Sequence, residues 1–226
     1  LSQLEGMRRS IKGLTDLSIG ELSLAASDAV TRFLLADVLA AYRKKRPGIK
    51  IRVWNKTSRE IAGMIAEGKT DLGIVTLPLE HQGLISEPLR EYRYVAVTRE
   101  TERNRYPSEI HPADLREEHL LLLEKGTRMR ETIESAFRSK GESMDRSTDV
   151  GSVDIQKDLA RIGVGIAIVP NFSVADKEDR KGLHIMRLKE VPASMLGIIC
   201  RKTTVARLLE EFTALLRTHL AGRAQS

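Results

Sequence analysis

Apolar residues along this chain follow two alternating periods. Leu4, Met7, Ile11 and Leu14 recur at spacings of three and four, the stripe of a short amphipathic helix. Leu22 to Ala26 then reads as a strand ending at Ser27-Asp28, residue types that cap helices. Leu34, Val38 and Tyr42, with Leu35 and Leu39 beside them, mark one helical face, and Pro47-Gly48 stops it behind a basic last turn. Ile49, Ile51 and Val53 alternate as a second strand. Thr57 followed by Glu60 forms a capping-box pattern, Ile61, Met64 and Ile65 give the next helical stripe, and Gly68 closes it. Leu72 to Val75 is an apolar run suited to a strand buried on both faces.

The same order returns later. Ile85 to Thr98 reads as one long crossing strand, followed by a polar surface loop over Thr101 to Pro112. Leu120 to Leu123 is a strand, Gly126-Thr127-Arg128 a turn, and Met129, Ile133 and Phe137 a helical stripe closed by Gly141. Thr148 to Val150 is a short strand, Ser152 caps a helix through Leu159 and Ile162, and Gly163 leads into Ile166 to Pro170. Leu183 to Ile185 and Met195 to Cys200 add strands; Val205, Leu208, Leu209, Phe212, Leu215 and Leu216 make a last amphipathic helix. Two similar β-α-β-α-β units with right-handed crossovers imply an α/β protein of two Rossmann-like lobes joined by two crossover strands, with strand ends and helix starts facing a cleft.

Two motifs fail on context. Gly63-x-x-x-x-Gly68-Lys69-Thr70 matches the phosphate-loop pattern, but it has a helix before it and a strand after, the reverse of what phosphate binding needs. Gly163-Val164-Gly165 likewise follows a helix instead of a strand. His81, His111, His119, His184 and His219 show no ligand spacing, and Cys200 is the only cysteine, so neither an internal disulfide nor a cysteine-based metal site is expected. Carboxylates such as Asp71 read as structural, and the chain carries no evident catalytic set. A length of 226 residues suffices to bury a sizeable core. The net charge of +6 is spread among acids, as in Arg99-Glu100-Thr101-Glu102-Arg103, and one Trp, four Tyr and four Phe supply no stacking surface for single-stranded nucleic acid. The sequence shows neither a membrane-length apolar run nor a signal-peptide pattern, and it starts at Leu1 rather than Met, as a fragment would.

What does recur is a hydroxyl-rich turn ahead of each helix: Ser27, Thr57 with Ser58, Thr127, and Ser152. Thr76 follows a strand's carboxyl end. Simple capping explains any one of them. In series, aimed at one cleft, they would also suit a small anion, with Arg128 adding a bidentate grip on a carboxylate or sulfate-like group.

The run Leu17-Ser18-Ile19-Gly20 through Ser27, the Pro47 turn, Glu67-Gly68-x-x-Asp71-Leu72-Gly73-Ile74, and Gly163-Val164-Gly165-Ile166-Ala167-Ile168-Val169-Pro170 resembles the effector-binding domain of LysR-type transcriptional regulators. The resemblance spans about residues 17 to 220. It implies a fold like that of type 2 periplasmic binding proteins, with 1–16 as the end of a linker helix, 17–96 and 196–226 as the first lobe, and 97–195 as the second. It further implies a small-molecule effector, without cofactor or metal, contacted by Ser27, Asp28, Ala29, Thr57, Ser58, Thr76, Thr127, Arg128 and Ser152. The Thr-rich turns and Asp71 to Thr76 are similar to the branch that senses sulfur metabolites, which leaves the ligand itself unnamed. By the same resemblance the protein is cytoplasmic and not an enzyme, and binds DNA through an N-terminal winged helix-turn-helix missing from this chain. It contacts RNA polymerase, and forms a homodimer or tetramer through the first lobe, the Leu34 to Tyr42 helix lying against a partner's last helix. The rival reading is a solute-binding protein of an ABC transporter; the Leu1 to Leu14 helix and the lack of a leader pattern favour the regulator.

Overall fold

A computed structural model describes residues 20–202 and 207–222. The helix expected over Leu1 to Leu14, the Leu17-Ser18-Ile19 segment and Val205 lie outside the described residues. The chain divides into two compact units, Leu1–Leu89 with Gly197–Ser226, and Arg90–Leu196.

The first unit is built on a five-stranded sheet of order β2-β1-β3-β11-β4. Its strands are β1 (Gly20–Ala26), β2 (Ile49–Asn55), β3 (Leu72–Leu77), β4 (Leu84–Tyr92) and β11 (Ser194–Arg201). β1 runs parallel to both neighbours, with Ala26 opposite Asn55 on one side and Ile74 on the other. Leu24, Ala25 and Ala26 are fully buried, as a central strand requires. β2 departs from the expected alternation. Ile49 is buried, but Val53 and Trp54 are each 38% exposed, because β2 is the sheet's edge.

The helix expected around Leu34 to Tyr42 comprises a short turn, Asp28–Val30, a π-helical stretch, Thr31–Leu35, and α1 (Ala36–Lys45). The wider π turn accompanies the burial of three consecutive apolar residues, Phe33, Leu34 and Leu35, more than a regular helix directs to one side. α1 packs within the chain on the last helix, α6 (Arg207–Gly222), so its Val38 and Tyr42 side is core. Tyr42 and Leu216 are fully buried; the Tyr42 ring stands edge-on to Phe212 at 5.3 Å, and its hydroxyl donates to the Leu208 carbonyl. At the end of this contact Glu211 accepts two hydrogen bonds from Arg46 and pairs with Lys45, which holds its carboxyl down at about 2.

α2 (Ser58–Ala66) lies directly on β3. A methyl group at Gly73 would run into the Ile61 side chain and come within 2.9 Å of Ile199 and Ile65. Glycine is what lets this helix approach its strand so closely. Gly68, at φ +74°, ends α2 as expected, with Lys69 N–H reaching back to the Met64 carbonyl. Gly163, at φ +85°, repeats the device in the second unit, Val164 N–H bonding the Leu159 carbonyl. Gly68 of the phosphate-loop-like motif and Gly163 of the dinucleotide-like one are therefore helix stops.

The second unit holds a six-stranded sheet of order β6-β10-β5-β9-β7-β8. Its strands are β5 (Tyr94–Arg99), β6 (Glu109–Ile110), β7 (Leu120–Leu123), β8 (Ser147–Val150), β9 (Ile166–Pro170) and β10 (Leu183–Leu188); its helices are α3 (Arg128–Ser139), α4 (Val153–Arg161) and the short α5 (Lys177–Arg180). β7 pairs parallel with β8 and β9, so the second β-α-β-α-β repeat is present. The expected long strand over Ile85 to Thr98 is broken at Arg93: β4 belongs to the first sheet and β5 to the second. The division therefore falls at Leu89/Arg90 and Leu196/Gly197, not after residues 96 and 195. β5 forces the shift, since Tyr94 to Val97 pair with β9 and belong with that sheet. The expected loop over Thr101 to Pro112 includes the two-residue strand β6.

Gly73→Ala should lower stability by about 1–3 kcal/mol through overpacking against Ile61, Ile65 and Ile199, measured by urea denaturation. For Glu211 the folded pKa is depressed, so its contribution is present above the ordinary carboxylate range and lost as pH falls toward about 2. Glu211→Gln should therefore cost about 1 kcal/mol at pH 7, after allowance for solvent screening, and progressively less below pH ~4.5. Paired melts across pH would show this convergence.

Candidate functional site

In the first unit the site residues follow from parallel pairing. β1, β2 and β3 end on the same edge of the sheet, and Ser27, Lys56-Thr57 and Thr76 lie at those ends. Ser27 Oγ accepts the Val30 N–H at 3.4 Å, as an N-cap. Thr57 and Glu60 form the complete capping box: Thr57 N–H and Oγ1 both donate to the Glu60 carboxylate at 2.8 Å, and Glu60 N–H returns to Thr57 Oγ1. Those bonds hold the Glu60 carboxyl below the usual range. Ser58 Oγ accepts the Thr76 N–H at 3.2 Å, tying the start of α2 to the end of β3. Asp28 and the buried Ala29 occupy the turn after Ser27. Thus the structure brings Ser58 and Thr76 into contact and places Ser27 and Thr57 at neighbouring strand ends.

Behind this edge the single tryptophan is anchored. Trp54 Nε1 donates to Ser23 Oγ at 3.2 Å, Ser23 Oγ bonds Thr70, and the Ser23 and Asp71 segments exchange two bonds, Ser23 N–H to the Asp71 carboxylate and Asp71 N–H to the Ser23 carbonyl. Asp71 is structural, as its position before an apolar strand suggested.

In the second unit Leu123 of β7 sits opposite Val150 of β8, so the Glu124–Thr127 and Gly151-Ser152 turns share one sheet edge. Thr127 Oγ1 donates to the Glu124 carbonyl at 3.0 Å and accepts the Arg130 N–H. Ser152 Oγ accepts the Ile155 N–H at 3.3 Å. Arg128 pairs through Nη1 with Glu131 at 3.1 Å, while its buried Nε has no hydrogen-bond partner among the described residues. Each hydroxyl in these turns acts as a cap, yet a cap satisfies only part of the first turn's four free N–H groups, and the helix dipole favours an anion there.

Three buried polar residues escaped the sequence reading. Arg130, 4% exposed, bonds Glu134 at 2.6 Å, Asp149 at 2.7 Å and the Leu123 carbonyl at 3.0 Å, pinning α3 beneath the Thr127-Arg128 turn. Gln156 donates to the Leu121 and Ile168 carbonyls, bridging β7 and β9. Lys157 bonds the Ser173 carbonyl and pairs with Asp154 and Asp179. The available signal for Arg130 was its Glu134 partner four residues on, beside the Met129 and Ile133 stripe. Among the described residues no group of His, Cys, Asp and Glu is arranged to hold a metal ion, and no helix is long and apolar enough to cross a membrane. Cys200 is a free thiol whose pKa is raised by burial and by Glu87.

Two α/β units, each with parallel strands whose helix starts gather on one sheet edge, and a chain that passes between them twice, define a type 2 periplasmic-binding-protein-like fold. Residues 15–221 match the family model described as the LysR substrate binding domain, and the chain belongs to that family. It is 23% identical over 187 residues to the HTH-type transcriptional regulator CysB of Burkholderia cenocepacia, covering 82% of this chain and 59% of CysB. It is 21% identical over 219 residues to the HTH-type transcriptional regulator EstR of Acinetobacter baylyi, covering 96% of this chain and 71% of EstR. The BenM effector binding domain, solved with its effector benzoate, superposes with a TM-score of 0.76 at 17% identity, covering 92% of this chain and 95% of that one.

Arg130→Ala should destabilise the second unit by about 2–3 kcal/mol, below the range for a fully buried pair because Asp149 is half exposed. Hydrogen exchange should show the loss concentrated in the amides of β7, β8 and α3.

Proposed function

We propose that this chain is the effector-sensing part of a LysR-type DNA-binding transcriptional regulator and that its effector is a small anion. Family membership over residues 15–221 carries the first half, and relatives that are transcriptional regulators favour it over a solute-binding protein. The chain spans 59% of CysB; on this reading DNA binding is the work of a winged helix-turn-helix outside residues 15–221. The second half rests on the capped helix starts. In the first unit Ser27, Asp28, Ala29, Thr57, Ser58 and Thr76 line one sheet edge; in the second, Thr127, Arg128 and Ser152 do. Neutral hydroxyls, helix N-termini and one guanidinium suit a carboxylate or a sulfur oxyanion. Benzoate, the effector bound by BenM, is such an anion.

The ligand acts without a cofactor or catalysis, by shifting a conformational equilibrium in proportion to its differential affinity for the two states. We place the protein in the cytoplasm, with RNA polymerase as a further partner. Self-association as a homodimer or tetramer would use the first unit, where β2 offers an open edge and exposed Val53 and Trp54.

The test is a thermal-shift screen against sulfate, thiosulfate, acetylserine and common mono- and dicarboxylates, with Trp54 fluorescence as a second readout. An effector at about 100 times its Kd should add roughly 2.7 kcal/mol of stability. Ser58→Val and Thr127→Val should each erase the shift while lowering unliganded stability by about 1 kcal/mol. A saturable hit that both variants retain would remove these turns from the site, and a blank panel would remove the small-anion reading.

A further inference from the structure

The second unit contains a cavity of about 480 Å³ remote in sequence from the strand-end turns. It is lined by Arg103, Tyr106 and Ser108 from the segment between β5 and β6, by Arg180 at the end of α5, and by Leu183, His184 and Ile185 of β10. Its origin is topological. β6 is only two residues long and pairs with β10 at Arg187 and Leu188, so the strand does not extend alongside Leu183 to Ile185. The 103–108 segment passes there instead. It is fastened by the Arg187 N–H to Ser108 carbonyl bond at 2.8 Å and by the His184 ring, whose Nε2 lies 3.2 Å from the Tyr106 carbonyl.

The geometry points to an oxyanion site: a phosphate or sulfate group, free or carried by a larger metabolite, held between the Arg103 and Arg180 guanidinium groups with Ser108 and His184 beside them. No carboxylate lines this cavity. Of the neighbouring acids, Glu102 bonds Arg99 and Asp179 bonds Lys157, while Glu118 is shared between Arg105 and the Tyr106 hydroxyl. Glu100 pairs with Arg103 at 3.2 Å, but both side chains are more than 40% exposed, and an exposed pair of this kind contributes too little to resist an oxyanion. Arg180 donates to the Ala175 carbonyl and retains further N–H donors, since a guanidinium carries five. His184 is 7% exposed, so one wall of the cavity is fixed before any ligand arrives. Two guanidinium groups and a hydroxyl supply the charge-assisted donors by which phosphate and sulfate are recognised.

The experiment is an amide-resolved NMR titration of this chain with inorganic phosphate at constant ionic strength, followed by sulfate and a phosphomonoester, glucose 6-phosphate. The Ser108, His184 and Ile185 amides should move saturably, with a millimolar Kd. Arg103→Gln with Arg180→Gln should weaken binding about tenfold or more. Both arginines are exposed, and the variant's own spectrum reports whether it folds. Tighter binding of the ester than of phosphate assigns the site to a larger phosphorylated molecule; equal binding assigns it to the free ion. Ser58→Val with Thr127→Val should leave these shifts unchanged, which separates this site from the strand-end turns. Shifts that do not saturate, or that persist in the double arginine variant, would overturn the assignment.

Discussion

A parallel pair of strands cannot be joined by a tight turn, and that constraint organises this protein. Each strand must be followed by a returning segment that starts at its carboxyl end, so helix N-termini gather on one edge of the sheet. β1, β2 and β3 obey this in the first unit, β7, β8 and β9 in the second. Ser27, Thr57 and Thr76 are neighbours because their strands are in register. The left-handed glycines Gly68 and Gly163 each lie at the opposite edge of their own sheet for the same reason. Capping and ligand binding are thus two uses of one geometry, and the hydroxyls that satisfy the first turns are the groups best placed to meet an anion.

The two units fasten themselves differently. The first relies on close apolar contact, with Gly73 beneath Ile61 and Ile65 and Tyr42 against Phe212, and places its Glu211 ion pairs at the margin. The second buries charge and amide. Arg130 reaches the ends of β7 and β8, Lys157 the turn after β9, and Gln156 the carbonyls between strands. A buried cation that loses a partner is costly, so removing one member of these pairs should disturb the second unit more than removing an exposed pair would.

Periodicity made most of the architecture readable. Alternating and helical spacings located the central strands and main helices, and the Thr57-Glu60 capping box is present in full. What escaped depends on contacts distant in sequence. The break at Arg93 could not be seen from local pattern, because the one interruption in Ile85 to Thr98 is Pro88 and only pairing with β9 assigns Tyr94 to the other sheet. The π turn at Thr31–Leu35 left no breaker residue. The burial of Tyr42 follows from its contact with Phe212, which depends on where the last helix lies. For the site, residue type and position before a helix identified the strand-end turns, whereas Arg130 and the Arg103–Arg180 cavity are products of tertiary packing.

The second unit, Arg90–Leu196, is one uninterrupted stretch of chain, while the first is assembled from both ends, with β11 lying between β3 and β4 in its sheet. On the ribosome the order of completion is therefore the reverse of the order of appearance. All six strands of the second sheet emerge before the first sheet receives its inner strand β11 or its covering helix α6. Until then β3 and β4 lack the strand that joins them, and the nascent first unit keeps open edges exposed. The half of the molecule made first is the half that must wait.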